Sequence, residues 1–437
     1  MVFDKLFGRS RKRPDDPPIP FGRYSDNNKT VEKVSRWTDA DNLFKQQDYF
    51  NSLDAFFDYL RDDAVQNVVW ERNGSSGNFH LYQGSKVVRG KCDGERLEAE
   101  ITLARMPQPS VPVMRRLLEM NFNLYYCRYA LDNDRLCMRF DSSIKTANPN
   151  KLYYGLRELA TKADKMDDLL VQEFSSLQSI DTEHIIDIPA AEKEVKYTFV
   201  QKWIRETLEY IETLDADKFS GGIAYLLLTL AFRIDYLVCP EGQLLNELEK
   251  IVEIYYRKDE RQTNERNKAM IEGFRKLLEK KREDVFPYLF RSKHTFAIVS
   301  PQHHKAVAEA IQGAHQSLPW YRDNHYTLIA NRVVEYGLSY SQYSYSLPKP
   351  MSDLFRLYMQ VNYPDYFEAL GFGTRYYNPD NNRFDAEAIR ERIGEIVAAW
   401  KAKYPKLEFN TSSLEFQSLL HFNVSFTTEV TQLNFDA

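Results

Sequence analysis

Tyr125-Tyr126-Cys127-Arg128-Tyr129-Ala130-Leu131-Asp132-Asn133-Asp134-Arg135-Leu136-Cys137-Met138-Arg139-Phe140-Asp141 is the stretch on which the fold of this 437-residue chain turns. Asp132-Asn133-Asp134 holds residue types that tolerate the positive φ of a tight turn, so the run reads as a hairpin with strands over 122–131 and 135–141. With Asn133 and Asp134 as the two turn residues, Tyr125, Cys127, Tyr129 and Leu131 share a face with Leu136, Met138 and Phe140. Arg128, Cys137, Arg139 and Asp141 take the other face. One side of the hairpin is therefore apolar, and Cys127 and Cys137 point apart, which disfavours a disulfide between them.

Working outward, Leu43, Phe44, Phe50, Leu53, Phe56, Phe57 and Leu60 recur at spacings of three and four, predicting an amphipathic helix or helix pair over 40–60. Three β-rich segments follow at 67–71, 78–92 and 95–103, separated by the turn sequences Asn73-Gly74-Ser75-Ser76-Gly77 and Asp93-Gly94. Pro107, Pro109 and Pro112 introduce a short helix over 113–120, with Pro112 placed where the first helical turn needs no amide donor. Beyond the hairpin, Leu152, Leu156, Leu159, Ala163, Met166, Leu170, Phe174 and Leu177 form one stripe of a long helix over 149–177. Helix, three strands, helix, two strands, helix is the order of an α+β domain: an antiparallel sheet with flanking helices packed on one side.

Val111-Pro-Val-Met-Arg-Arg-Leu-Leu-Glu-Met-Asn121, the hairpin ending Leu136-Cys-Met-Arg-Phe140 and the helix from Leu156 to Phe174 resemble the second half of type III secretion chaperone-like and YbjN-like domains. The resemblance spans residues 40–178 and implies a domain without catalytic residues or cofactor. It also implies a homodimer, and a protein or peptide partner held along exposed apolar surface or strand edges. On this analogy Met114, Leu117 and Leu118 contribute to self-association or fill the core, and the sheet face or edge receives the peptide.

Composition bounds the rest. A net charge of -5 spread along the chain gives no concentrated basic face for nucleic acid. The Lys/Arg-rich stretch 257–282 is interleaved with Glu260, Glu265, Glu272 and Glu279, as on a solvated helix. Cys92, Cys127, Cys137 and Cys239 include no CxxC pair and are too few for a disulfide scaffold, which points to a reducing, cytoplasmic setting. The longest apolar run, Gly221 to Phe232, falls short of the roughly 20 residues that span a bilayer, so stable membrane insertion is not expected. Residues 1–39, with Arg9, Arg11, Lys12 and Arg13 followed by several prolines, read as a flexible leader. Its apolar residues Phe3, Leu6 and Phe7 give at most weak membrane contact.

From 190 to 405 the periodicity predicts a helical domain, with segments near 191–213, 220–237, 242–258, 261–284, 301–317, 321–343, 350–369 and 384–404. Alternating Leu407, Phe409, Leu420, Phe422, Val424 and Phe426 predict strands or an extended tail over 406–437, able to pack back on the protein. His303, His304, Glu309, His315, Asp323 and His325 supply metal ligands on paper. However, His304 and His315, eleven residues apart, would stand about 16 Å apart along a helix, too far to share one metal. The aromatic run around Trp320, Tyr321 and His325, followed by Tyr336, Tyr340, Tyr343 and Tyr345, is a second binding candidate. No P-loop, HExxH or GxSxG motif is present. The sequence thus reads as a non-catalytic, bacterial-type binder of a protein or peptide. The alternative is an enzyme or small-molecule binder with its site in the His- and Tyr-rich helical domain.

Overall fold

The computed structural model describes residues 16–24, 28–63, 65–84, 86–180, 185–292 and 300–436. The basic run of the expected leader and its Phe3, Leu6 and Phe7 lie outside them.

Two helices, α1 (Val31–Lys45) and α2 (Tyr49–Leu60), pack as a hairpin whose connection passes through Gln47 at a φ of 63°. Thr30 caps α1 by accepting from the Lys33 amide, so the helix begins inside the expected leader. The sheet follows as β1 (Val68–Asn73), β2 (Ser76–Gln83), β3 (Lys86–Cys92) and β4 (Arg96–Arg105). Then come α3 (Val111–Asn121), β5 (Arg128–Asp132), β6 (Arg135–Ser143) and the long α4 (Pro149–Glu173). The six strands are antiparallel throughout, in the order β1-β2-β3-β4-β6-β5.

The hairpin register is the one read from the sequence: Asp132 pairs with Arg135, Leu131 with Leu136 and Tyr129 with Met138, and Asn133 takes a φ of 55°. Three local expectations change. The segment 78–92 is two strands, because Gly84 at a φ of +54° turns the chain where alternation alone suggested continuity. Residues 122–127 are not strand; the amides of Tyr125, Tyr126 and Cys127 all donate to the Glu158 carboxylate instead, at 2.9, 2.7 and 2.9 Å. That leaves the Tyr125 ring 93% exposed rather than on the inner face. The apolar face around Tyr129 and Met138, expected to be available to a peptide, is core: both residues are buried beside Leu156, Leu159 and Val113.

Burial explains the inner face and ion pairing the outer. Phe79 lies over Gly90 on the neighbouring strand, where any side chain would collide with the ring, and packs at a tilt against Phe57 and Trp70. On the opposite face Arg139 pairs with Glu100 at 2.5 Å and Arg96 with Asp141 at 2.6 Å, so charges of both signs neutralise one another across strands.

The remainder is mainly helical. Short β7 (Ile185–Asp187) pairs with β8 (Phe290–Ser292). Between them lie α5 (Ala190–Glu212), α6 (Ser220–Val238), α7 (Gly242–Tyr256), α8 (Thr263–Leu278) and the single turn α9 (Arg282–Val285). After them come α10 (His304–Asp323), α11 (Thr327–Ser344), α12 (Lys349–Asn362), α13 (Pro364–Ala369), the two-residue strands β9 (Tyr377–Asn378) and β10 (Arg383–Phe384), α14 (Ala386–Trp400) and α15 (Leu419–Val430). The apolar run 221–232 sits in α6, which among the described residues is the one helix long and apolar enough to cross a membrane; 89% of the helix's 18-residue apolar window is buried. Helices α5, α7, α8 and α11 pack around it.

Both ends of the chain depart from expectation. The predicted C-terminal strands are replaced by α15: Ser418 caps it, and Phe422, Phe426 and Val430, spaced by four, form its buried face. Alternation at 420, 422, 424 and 426 coincided with this stripe because a helix also returns to the same face after four residues. At the other end, Ile19 is buried and Phe21 packs on Tyr236, Phe367 and Phe372, so residues 16–24 form a strap on the helical unit rather than free leader.

Candidate functional site

The strap, the α/β unit and the helical unit meet around a cavity of about 580 Å³. That is within the roughly 300–1,000 Å³ of small-molecule sites. Pro20 to Tyr24 form one wall, and Gln83 and Gly84 of the β2–β3 turn with Thr161 and Asp164 of α4 form another. The C-terminus of α6, the start of α7, Lys196 of α5 and Arg291 complete it from below. Tyr343 and Tyr345 border it, as do Lys349, Ser352, Asp353 and Arg356 of α12.

Local sequence explains the α12 wall. Lys349, Ser352, Asp353 and Arg356 are spaced i, i+3, i+4, i+7 and so share one helix face, while Met351, Leu354, Phe355 and Tyr358 are buried on the other. Pro350 sits in the first turn, where its missing amide costs no hydrogen bond. Gly84 is required at its turn: its φ is positive and the Asp164 carboxyl occupies the place of a side chain. Gln83 donates to that same carboxyl at 3.2 Å.

Ion pairs hold the charged groups in place. Arg23 Nε donates to Asp235 at 2.8 Å and Arg23 Nη1 to Glu249 at 2.9 Å. Glu192, itself buried, receives Arg291 Nη2 on both oxygens at 2.5 and 2.6 Å, and Lys196 Nζ lies 3.1 Å from it. Burial pushes the Asp353 carboxyl above the usual range, against the pull of the Trp400 indole, which donates to it at 2.7 Å, and of nearby Arg392, Arg356 and Lys349. Burial likewise pushes the Cys239 thiol up to about 11, keeping it protonated and poorly nucleophilic at neutral pH. Two polar atoms of the lining, Gln83 Oε1 and Arg291 Nε, are buried with no hydrogen-bond partner among the described residues. The arrangement supplies fixed donors and acceptors with aromatic area between them, which suits capture of a polar ligand.

The residues nominated from sequence lie elsewhere. Leu117 is buried, Met114 packs half-buried on the α/β core and Leu118 is 63% exposed on α3. Trp320 and Tyr321 are together at the end of α10, Trp320 stacking on Tyr326 at 5.7 Å and leaning on Phe219. His325 is exposed in the turn that follows, at a φ of 63°. None of the six lines the cavity. His304 and His315 share a face of α10 as expected, and both serve to seat α15: His304 Nε2 bonds the Val430 carbonyl at 2.8 Å and His315 Nε2 the Thr427 hydroxyl at 2.9 Å. Among the described residues no three His, Cys, Asp or Glu side chains are grouped to hold a metal ion.

Of the aromatic run, Tyr343 and Tyr345 reach the cavity, while Tyr336 and Tyr340 pack with Tyr256 away from it. The signal that points to the rest is the polar stripe of α12, four polar residues in register on a helix that is otherwise buried.

No protein-family model matches this chain, and no curated protein matches it.

Proposed function

We propose that the protein is a binding protein whose ligand occupies the cavity between the α/β unit and the helical unit. The observation that carries this reading is the cavity itself: its walls come from the strap, the sheet turn and six helices, and it retains buried polar atoms that no group among the described residues satisfies. Leaving a buried polar group unpaired costs about 1–3 kcal/mol, a cost that a ligand hydrogen bond offsets. Native mass spectrometry of the protein purified from its own source tests it. A bound species lost on substituting Thr161→Trp, which fills the cavity from α4, is the expected result. A ligand-free protein that gains no thermal stability across a broad metabolite panel counts against the reading.

A second reading keeps the protein or peptide partner implied by the secretion-chaperone and YbjN-like resemblance. It is supported by the exposed side chains of Leu118, Phe122 and Tyr125, which lie just before β5, an edge strand of the sheet. An edge strand offers unpaired backbone groups to an added strand, and neighbouring apolar side chains give such a partner its register. Photo-crosslinking from position 125 discriminates: one reproducible protein partner supports this reading, and only random background removes it.

A further inference from the structure

The α12 wall carries a cation with unused capacity. Arg356 makes no hydrogen bond or ion pair among the described residues; its guanidinium lies over the rings of Phe21 and Phe372, 5.3 and 5.5 Å from their centroids. A guanidinium resting on aromatic faces keeps its in-plane N–H groups, and their fork matches the two oxygens of a carboxylate or phosphoryl group. The other cavity arginines are committed, Arg23 to Asp235 and Glu249 and Arg291 to Glu192. Lys349 adds a second cation on the same helix face, and the first turns of α12 present the positive end of the helix dipole.

We infer that Arg356 is the anchor for an oxyanion, carboxylate or phosphoryl, on a small organic ligand that also donates a hydrogen bond to Gln83 Oε1. The inference rests on the ligand-binding reading of the cavity and adds the chemistry of what is bound. Gln83 is the second, independent pointer: it is 6% exposed, it lines the cavity, and among the described residues its amide oxygen has no partner while its nitrogen is spent on Asp164. Asp353 is the one acidic neighbour on the same helix face. Its Oδ2 is turned to the Trp400 indole and burial favours its protonated form, both of which ease repulsion of an incoming anion. Phe21 belongs to the strap, so an anion seated on Arg356 also strengthens the hold of residues 20–24 on the helical unit.

Inorganic phosphate and succinate, each titrated at constant ionic strength against potassium chloride, are the probes, read by thermal shift and calorimetry on the full chain. The expected result is saturable stabilisation by at least one of them. Half-saturation should rise tenfold or more in Arg356→Gln and stay unchanged in Arg322→Gln, whose arginine is on the surface. The stronger probe tells carboxylate from phosphoryl recognition. Equal responses in native protein and Arg356→Gln, or reproduction of the effect by chloride, overturn the inference. If Arg356→Gln does not fold, hydrogen exchange on the native chain decides: protection by the probe at residues 20–24 and 349–356 supports the assignment, and protection absent or confined to other segments overturns it. An uncharged ligand found in the cavity by native mass spectrometry would sink the oxyanion assignment and leave the binding reading standing. Absence of any ligand would sink both.

Discussion

Arg23 and Asp235, 212 residues apart in sequence, are joined by a hydrogen bond of 2.8 Å from the guanidinium Nε to the carboxylate. Asp235 is buried in α6, where desolvation pushes its carboxyl up and Arg23 opposes the shift. Arg23 is therefore the counter-charge that lets an acidic residue stand inside the most apolar helix among the described residues, and it fixes the strap across the cavity.

Substituting Arg23→Ala leaves that carboxylate buried without its partner. A loss of roughly 3–5 kcal/mol is expected, with much of it recovered in the Arg23→Met, Asp235→Leu double variant. Urea denaturation measures both. In the single variant chymotrypsin should also cut the strap, after Phe21 or Tyr24, before the rest of the chain; cleavage rates equal to native would show that the ion pair does not hold it.

Glu335 is fully buried on α11, accepting from the Tyr363 hydroxyl at 2.6 Å and from Arg332, with Arg233 Nε 3.6 Å away. Arg233 lies over the Tyr363 ring at 4.4 Å. Glu335→Ala strands two arginines in the core, and a cost of about 3–5 kcal/mol follows. Glu335→Gln, which keeps an acceptor for Tyr363, should recover part of it. Equilibrium unfolding of the two variants supplies the comparison, and a near-neutral alanine variant would contradict the network.

Burial alone would raise the Glu158 carboxyl, but the amides of Tyr125, Tyr126 and Cys127 outweigh it and hold the acid below its ordinary value. A carboxylate depressed in the folded state contributes stability above its unfolded pKa of about 4.3 and loses it as pH falls through the lower folded value. Glu158→Gln should therefore cost about 1 kcal/mol near neutral pH and show a flatter fall in stability below about pH 4. Near-identical acid unfolding curves for native and variant protein would exclude the amide clamp.

His315 is half-buried on α10, and burial lowers its pKa from the ordinary value. An unfolded histidine then binds its proton first, so stability falls as pH drops through about 6.5 and levels off below the folded pKa. His315→Gln retains a partner for Thr427 and should remove this part of the pH dependence. Thermal unfolding between pH 5 and about 8 measures it; an unchanged profile would place the titration elsewhere.

Much of the fold was legible because it is written in local spacing. The Asn133-Asp134 turn fixed which residues of β5 and β6 face the core, Pro112 marked the start of α3, and the four- and three-residue stripe of α4 needs no partner to be recognised. Helices α5, α6 and α7 were likewise readable to within two residues, because periodicity and the proline and glycine stops are properties of neighbouring residues, whereas the break expected at 318–320 falls inside α10, which runs through Pro319 to Asp323, and the segments 261–284 and 350–369 are each two helices.

What the sequence left open depends on contacts between distant residues. Phe21 and Arg23 look like parts of a flexible leader until Phe367, Asp235 and Glu249 are placed beside them. Phe422 and Phe426 fit a strand or a helix until α10 and α11 supply a groove that accepts a helix. The cavity is the extreme case: Gln83, Asp164, Lys196, Tyr343 and Arg356 come from five separate elements, and no local pattern brings them together. Sequence by itself determined the elements and their buried faces, since backbone periodicity and turn chemistry act over a few residues. Only the tertiary structure decided the strap, the C-terminal helix and the site, because charge pairing and void space belong to the packing of whole units.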